Sequence, residues 1–173
     1  MKSLTLTLLT VIVGISCTGC GCWCCLLHRP TRTSIGTYDS RAVACAFYRS
    51  KANDQRLADL KARLKEAQSA GNAEETQRLK ALPGQWQDLA HKQVFSDAPI
   101  PGIIERIADR LPKIQEDAGV DKIVDKRRNW SLFAPRVDVT DAMVDLFNPT
   151  DDTRKVISSL VKHPPARGPI TKH

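Results

Sequence analysis

Apolar residues recur every three to four positions along the middle of the chain, which predicts two amphipathic helices. The recurring positions are Leu57, Leu60, Leu64, Ala67, Leu79, Leu82, Trp86 and Leu89. Between the two stripes, Gly71 is suited to end a helix in a left-handed conformation, and Asn72 can cap the next helix with Glu75 completing a capping box. So short a connection predicts an antiparallel helical hairpin over about residues 52–94, with its apolar stripes face to face and a kink at Pro83.

Shorter patterns lie on either side of this hairpin. Residues 35–39 have the composition of a strand and run into an alanine-rich stretch with helical spacing, so Asp39 is predicted to cap a short helix. After the hairpin, isoleucines at helical spacing over 103–114 predict another helix. We expect that helix to bend at Pro112 and to end at Gly119.

The C-terminal third combines strand-like and helical patterns. Residues 120–125 and 129–134 read as strands on either side of a basic turn, which indicates a β-hairpin. Residues 137–148 predict a strand that opens into a short helix at Thr140, and 151–162 predict a final helix. The expected fold class is therefore α+β: a small antiparallel β body with an inserted antiparallel helical hairpin and additional C-terminal helices.

The N-terminus has the pattern of an export signal. Lys2 is followed by an uncharged apolar run over residues 4–16, whose length fits the hydrophobic region of a secretory leader. Cys17 and Cys20 each follow a small residue, as the lipidated cysteine of a bacterial lipoprotein does, and are the candidate lipidation sites. An alternative remains open, because the uncharged stretch continues to Leu27 and is long enough for an uncleaved membrane helix.

Five of the six cysteines are crowded between Cys17 and Cys25. Zinc sites usually place a spacer of a dozen or so residues between two C-x-x-C pairs, so that four ligands can surround one ion. This cluster lacks such a spacer, so the sequence predicts no metal site and no cofactor. Cys45 stands alone among alanines and a valine, and is expected to be a small buried hydrophobic residue.

The charge of the chain is basic. The net charge is +7 over 173 residues, and it is +6 without the first 27 residues, in which Lys2 is the only charge. A basic surface favours acidic proteins, anionic lipid or nucleic acid. The densest basic cluster, Lys126, Arg127 and Arg128, lies at a predicted turn and is the candidate site for a client or partner. Aromatic residues are not interleaved with it, so we expect no nucleic-acid partner.

Catalytic signatures are missing from the sequence. It contains no phosphate-binding glycine loop, no paired-histidine zinc motif and no nucleophile elbow, and its four histidines lie far apart. We therefore predict a protein without catalytic residues that acts by binding.

Three segments carry a resemblance to a known family. IGTYDSR (35–41), AGVDKIVDK (118–126) and VDVTDAMVDLFN (137–148) are similar to the first strand and the closing strands of the Skp, or OmpH-like, periplasmic chaperones. The resemblance covers roughly residues 35–148. It implies a β body closed by formation of a homotrimer, from which helical hairpins extend around a basic cavity. It also implies binding of unfolded envelope or outer-membrane proteins on the periplasmic side.

Two functional hypotheses follow. The first is an Skp-like, non-enzymatic envelope protein that binds polypeptides, attached to the membrane or secreted through its N-terminus. The second is a membrane-tethered scaffold or structural lipoprotein without chaperone activity, because this hairpin is shorter than those of the family. The predicted organisation is a leader or anchor (1–27), a tether (28–34), the Skp-like domain (35–149), a C-terminal helix (150–162) and a disordered tail (163–173).

Overall fold

The computed structural model describes residues 34–127 and 135–166, which belong to one compact unit. Several sequence predictions lie outside the described residues. They concern the leader with Cys17 and Cys20, most of the tether, Arg128, the strand over 129–134, and the tail from residue 167 onward.

The described residues are mainly helical, with one small sheet. The strands are β1 (Ile35–Tyr38), β2 (Lys122–Asp125) and β3 (Arg136–Asp138). The helices are α1 (Ser40–Tyr48), α2 (Lys51–Ser69), α3 (Ala73–Phe95), α4 (Pro101–Arg106), α5 (Leu111–Ala118), α6 (Thr140–Asp145) and α7 (Asp151–Lys162), with a 3₁₀ turn, Ala108–Arg110, between α4 and α5.

The sheet is parallel, so the predicted antiparallel β body is wrong. β1 is the central strand, and both β2 and β3 pair with it in parallel. Gly36 lies opposite Ile123 on one side and Val137 on the other. The broader prediction of a mixed α+β fold agrees with the structure, which is a mostly helical domain with a three-stranded sheet.

The error has a physical cause. Short strand-like runs specify which residues alternate between the two faces but not the direction of the neighbouring strand. Here all the helices from α1 to α5 lie between β1 and β2, and they return the chain to the starting end of the sheet, as a parallel pair requires. The basic turn after residue 125 therefore follows a strand whose partner is β1.

Helix α1 is the centre of the core. Ala42, Val43, Ala44, Cys45, Ala46 and Phe47 are all buried. A helix that is apolar on every side has to be enclosed, and α1 is covered by α3, α6 and α7. The prediction that Cys45 is a small buried hydrophobic residue is confirmed, and its burial raises the pKa of the thiol.

The helical hairpin has a smaller core of its own. Leu60, Ala67 and Leu79 are buried between α2 and α3, and Leu64, Leu82 and Trp86 pack against them. The predicted facing of the two apolar stripes is thus confirmed. At the turn, Gly71 adopts a φ of 68° and the Asn72 side chain accepts a hydrogen bond from the Glu75 N–H at 3.0 Å, as the sequence predicts. The other half of the predicted capping box is not formed, because the Asn72 N–H donates to a carbonyl of α2 and the Glu75 carboxylate pairs with arginines.

The helices that contain Pro83 and Pro112 differ in part from the prediction. α3 continues through Pro83 from Ala73 to Phe95. The predicted helix over 103–114 is divided at Ile107, and Pro112 lies in the first turn of α5, where proline is favoured because its missing N–H would have no partner there. Gly119 ends α5 in a left-handed conformation, as predicted.

Candidate functional site

The three parallel strands end side by side, and charged residues follow each of them. Asp39 follows β1, Asp125 ends β2 with Lys126 directly after it, and Asp138 ends β3. The carboxyl edge of a parallel sheet is where open α/β sheets usually place functional groups, because the strand ends leave a crevice between the connections. This edge is therefore one candidate location for a site.

Asp39 is the most deeply buried acid at this edge, with 1% of its surface exposed. One carboxylate oxygen lies 2.9 Å from the Lys126 ammonium and 3.6 Å from the Arg41 guanidinium. The other oxygen accepts the Arg41 backbone N–H at 2.9 Å and caps α1, as the sequence predicts. Its own backbone N–H donates to the Thr140 hydroxyl at 3.0 Å, so α6 begins against the end of β1.

These contacts keep Asp39 ionised. Burial opposes the charged form, but the hydrogen bond and the charge of Lys126, with the Arg41 N–H and guanidinium, outweigh it and lower the pKa of the Asp39 carboxyl. The carboxylate is thus fixed as a negative centre that joins the ends of β1 and β2 and the start of α1.

The basic turn faces its own chain. Lys126 binds Asp39, and the Arg127 guanidinium contacts Asp97, Ser40 and the backbone carbonyl of Ser96. The sequence places both residues on a turn open to a partner, but it does not show that two acids distant along the chain lie beside them. The partner-binding role of Lys126 and Arg127 stays a prediction beside these internal contacts, and Arg128 lies outside the described part.

A second site lies at the base of the helical hairpin, between the first turns of α2 and the second half of α3. It is an open groove of about 360 Å³. It is lined by Tyr48, Asn53, Arg56, Leu57, Pro83, Trp86, Gln87, Leu89 and Ala90. Leu89 is 46% exposed, so the groove presents apolar surface that the packing of the two arms leaves uncovered.

The walls of this groove are held by hydrogen bonds. The Tyr48 hydroxyl donates to the Gln93 side-chain oxygen at 2.7 Å, and the Asn53 amide donates to the Tyr48 carbonyl at 3.0 Å. Gln93 in turn donates to the Pro99 carbonyl at 2.8 Å. The end of α1, the start of α2 and the last turns of α3 are therefore fixed to one another, and the groove is preformed.

Trp86 is one of the residues that line the groove, and Arg56 lies on its ring. The Arg56 guanidinium carbon is 3.6 Å from the Trp86 ring centroid, a close cation–π contact. The sequence predicts Trp86 as a packing residue of the hairpin, which agrees with its position against Leu79 and its neighbours. The sequence does not by itself indicate a role for Arg56. However, Arg56 and Trp86 lie equally far from Gly71 along the chain, which places them at the same height of an antiparallel hairpin.

A third site, which is also apolar, lies where α3 ends against α7. Phe95 is 48% exposed and Val156 40%, and together with Leu160 and His163 they border a depression of about 370 Å³. The Phe95 carbonyl accepts the Ala166 N–H at 2.8 Å, so the chain after α7 already runs along one side of it. Of the two apolar surfaces, the groove at Trp86 also contains an arginine, Arg56, among its lining residues.

The chain matches no protein-family model, no curated protein sequence and no solved structure.

Within residues 34–127 and 135–166, no helix is both long enough and apolar enough to span a membrane.

Proposed function

We propose that this protein binds unfolded polypeptides without catalysing a reaction, and that the groove at the base of the hairpin is the binding surface. The observation that carries the proposal is the exposed apolar surface of a preformed groove, with Leu89 46% exposed beside Trp86. Large exposed apolar groups bordered by polar ones are typical of surfaces that contact other proteins. Trp86 has the large area and single polar group that suit a residue anchoring a partner.

The compartment in this proposal is the cell envelope, on the periplasmic side. It rests on the apolar N-terminal run with Cys17 and Cys20, which supplies either a lipid anchor or a membrane helix, and on the Skp-like segments that flank the hairpin. Unfolded outer-membrane proteins are then the expected clients. We propose a homotrimer as the active form, since several hairpins side by side would multiply weak contacts with one client.

An aggregation assay tests the binding proposal. An unfolded outer-membrane protein is diluted from urea into buffer of low ionic strength, with or without the purified full chain, and light scattering is followed. We expect the wild-type chain to slow the increase in scattering. Leu89→Ser should weaken this protection because it removes apolar surface from the groove, whereas the matched control Val161→Ser, at a similarly exposed apolar residue on α7, should retain it.

The scaffold remains the second candidate because one observation favours it. Leu60, Ala67 and Leu79 are all buried between the arms, so most of the hairpin's apolar surface is already used and the hairpin would serve as a stiff spacer. Mass measured by light scattering, together with the aggregation assay, separates the two hypotheses. A trimer that leaves client aggregation unchanged would support the scaffold and contradict the chaperone proposal.

A further inference from the structure

Arg56 differs from the other arginines of the hairpin in its partners. Arg63 and Arg78 both pair with Glu75, at 3.2 and 2.6 Å. Arg56 lies instead on the ring of Trp86, and no carboxylate of the described residues is within ion-pair distance of it. Stacking on a ring leaves the N–H groups at the edge of a guanidinium free to donate to an oxygen acceptor in the same plane.

A second arginine adds to the positive charge near the groove. Arg106 of α4 lies over the Phe47 ring at 5.7 Å, and that ring contacts Tyr48, which lines the groove, with centroids 5.1 Å apart. Arg106 also has no described carboxylate within ion-pair distance. Burial lowers the pKa of the Arg56 guanidinium, the charge of Arg106 lowers it further, and the Tyr48 hydroxyl acts in the opposite direction. The two cations therefore repel each other, and no carboxylate of the described residues pairs with either of them.

Most of the other residues that line the groove are apolar. They include Leu57, Pro83 and Leu89, beside the polar side chains of Asn53 and Gln87. A ligand that fits both parts needs an apolar side chain for the walls and a carboxylate for the guanidinium edge. Partly desolvated cations also bind carboxylates more strongly than cations fully in water do, because water competes less for the donors.

We propose that the hairpin-base groove binds polypeptide segments in which a large apolar side chain stands next to an acidic residue, whose carboxylate is bound by Arg56. This inference rests on the proposed polypeptide-binding function and adds a sequence preference to it. Clients would then be held at sites where acidic and apolar residues are adjacent, and purely apolar segments would bind less well.

Fluorescence anisotropy with the full chain tests this preference. Two short labelled peptides with blocked ends are compared, one containing leucine, phenylalanine, glutamate and leucine in succession, the other with glutamine in place of glutamate. We expect the glutamate peptide to bind about tenfold more tightly, as one charge-assisted hydrogen bond would give. Equal binding of the two peptides would refute the preference.

Variants connect the preference to Arg56. Arg56→Gln should weaken binding of the glutamate peptide about tenfold and leave the glutamine peptide nearly unchanged. Arg63→Gln is the matched control, since it makes the same charge change on the same helix but within the Glu75 cluster near the turn. It should leave the ratio between the two peptides unchanged.

The outcomes separate this inference from the function on which it rests. If neither peptide binds, the polypeptide-binding proposal fails and the preference fails with it. If both bind equally well to the wild-type chain, polypeptide binding stands and the role of Arg56 is refuted. If Arg56→Gln and Arg63→Gln reduce the ratio equally, the preference reflects overall charge, and the proposed site at Arg56 is wrong.

Discussion

The Lys126 ammonium lies 2.9 Å from the buried carboxylate of Asp39 and joins the end of β2 to the first residue after β1. The Asp39 side chain is 1% exposed, whereas that of Lys126 is 38% exposed. Water can therefore solvate the charge of Lys126 but not that of Asp39, so the aspartate loses more when the pair is broken. Removal of the base therefore leaves the buried carboxylate with the Arg41 backbone N–H at 2.9 Å and the more distant Arg41 guanidinium at 3.6 Å.

Lys126→Met should destabilise the fold by roughly 2 kcal/mol, because a buried carboxylate loses its closest partner while the aliphatic part of the side chain is kept. Urea unfolding followed by circular dichroism measures the change. Lys122→Met, at an exposed position at the start of β2, is the control and should change stability by less than about 0.5 kcal/mol. Equal losses in both variants would contradict the role given to the Asp39–Lys126 pair.

The lowered pKa of Asp39 predicts a loss of stability in acid. The folded chain holds this carboxyl ionised at pH values where the unfolded chain, with an ordinary pKa of 3.8, already binds a proton. The contribution of Asp39 is therefore complete above the unfolded pKa and is lost as the pH falls through the lower folded pKa.

We expect the free energy of unfolding to fall less steeply with acid in Asp39→Asn than in the wild type at pH values below about 4. The asparagine variant is less stable at neutral pH, since it lacks the charge that Lys126 and Arg41 bind. Asp59→Asn, on the exposed surface of α2, is the control and should keep the wild-type slope. Parallel slopes for the wild type and Asp39→Asn would show that Asp39 does not cause the acid sensitivity.

The hydroxyl of Thr140 stabilises the carboxyl edge of the sheet. It accepts the backbone N–H of Asp39 at 3.0 Å, and the contact is buried. Thr140→Val keeps the shape but leaves that N–H without its acceptor, so we expect a loss of about 1–2 kcal/mol in the free energy of unfolding. Thr140→Ser keeps the oxygen and should retain most of the stability. If serine and valine cost the same, the methyl group and not the hydrogen bond matters.

The helical part of this fold can be predicted because its signals are local. The leucine spacing, Gly71 and Asn72 together specify two helices and a tight turn, and each signal acts within a few residues. The cap at Asp39 can be predicted for the same reason, since the bond from the Arg41 N–H joins neighbours in the sequence.

The sheet and the charged contacts cannot be predicted in this way, because their partners are far apart along the chain. Thr140 reaches Asp39 across about a hundred residues, and Lys126 reaches it across nearly as many. Whether a lysine on a turn points to solvent or to a buried acid depends on how the helices between β1 and β2 return the chain. The groove at Trp86 has the same origin, since its lining residues come from α1, α2 and α3 and meet only in the fold.

The hairpin offers a last prediction, in which one kind of substitution has opposite effects at two glycines. Gly71 has a φ of 68°, a conformation that a Cβ disfavours even in open space, so Gly71→Ala should destabilise the protein by about 1 kcal/mol. Gly84 lies inside α3, and a methyl group on its Cα would meet no atom within 4 Å, so Gly84→Ala should stabilise the protein by about 0.5–1 kcal/mol through the better helix propensity of alanine. Thermal unfolding of both variants beside the wild type measures the two shifts. If Gly71→Ala did not destabilise the protein, the turn at Gly71 would not be held in the left-handed conformation, and the antiparallel pairing that places Arg56 beside Trp86 would lose its support. A loss of stability in Gly84→Ala would contradict only the prediction for α3.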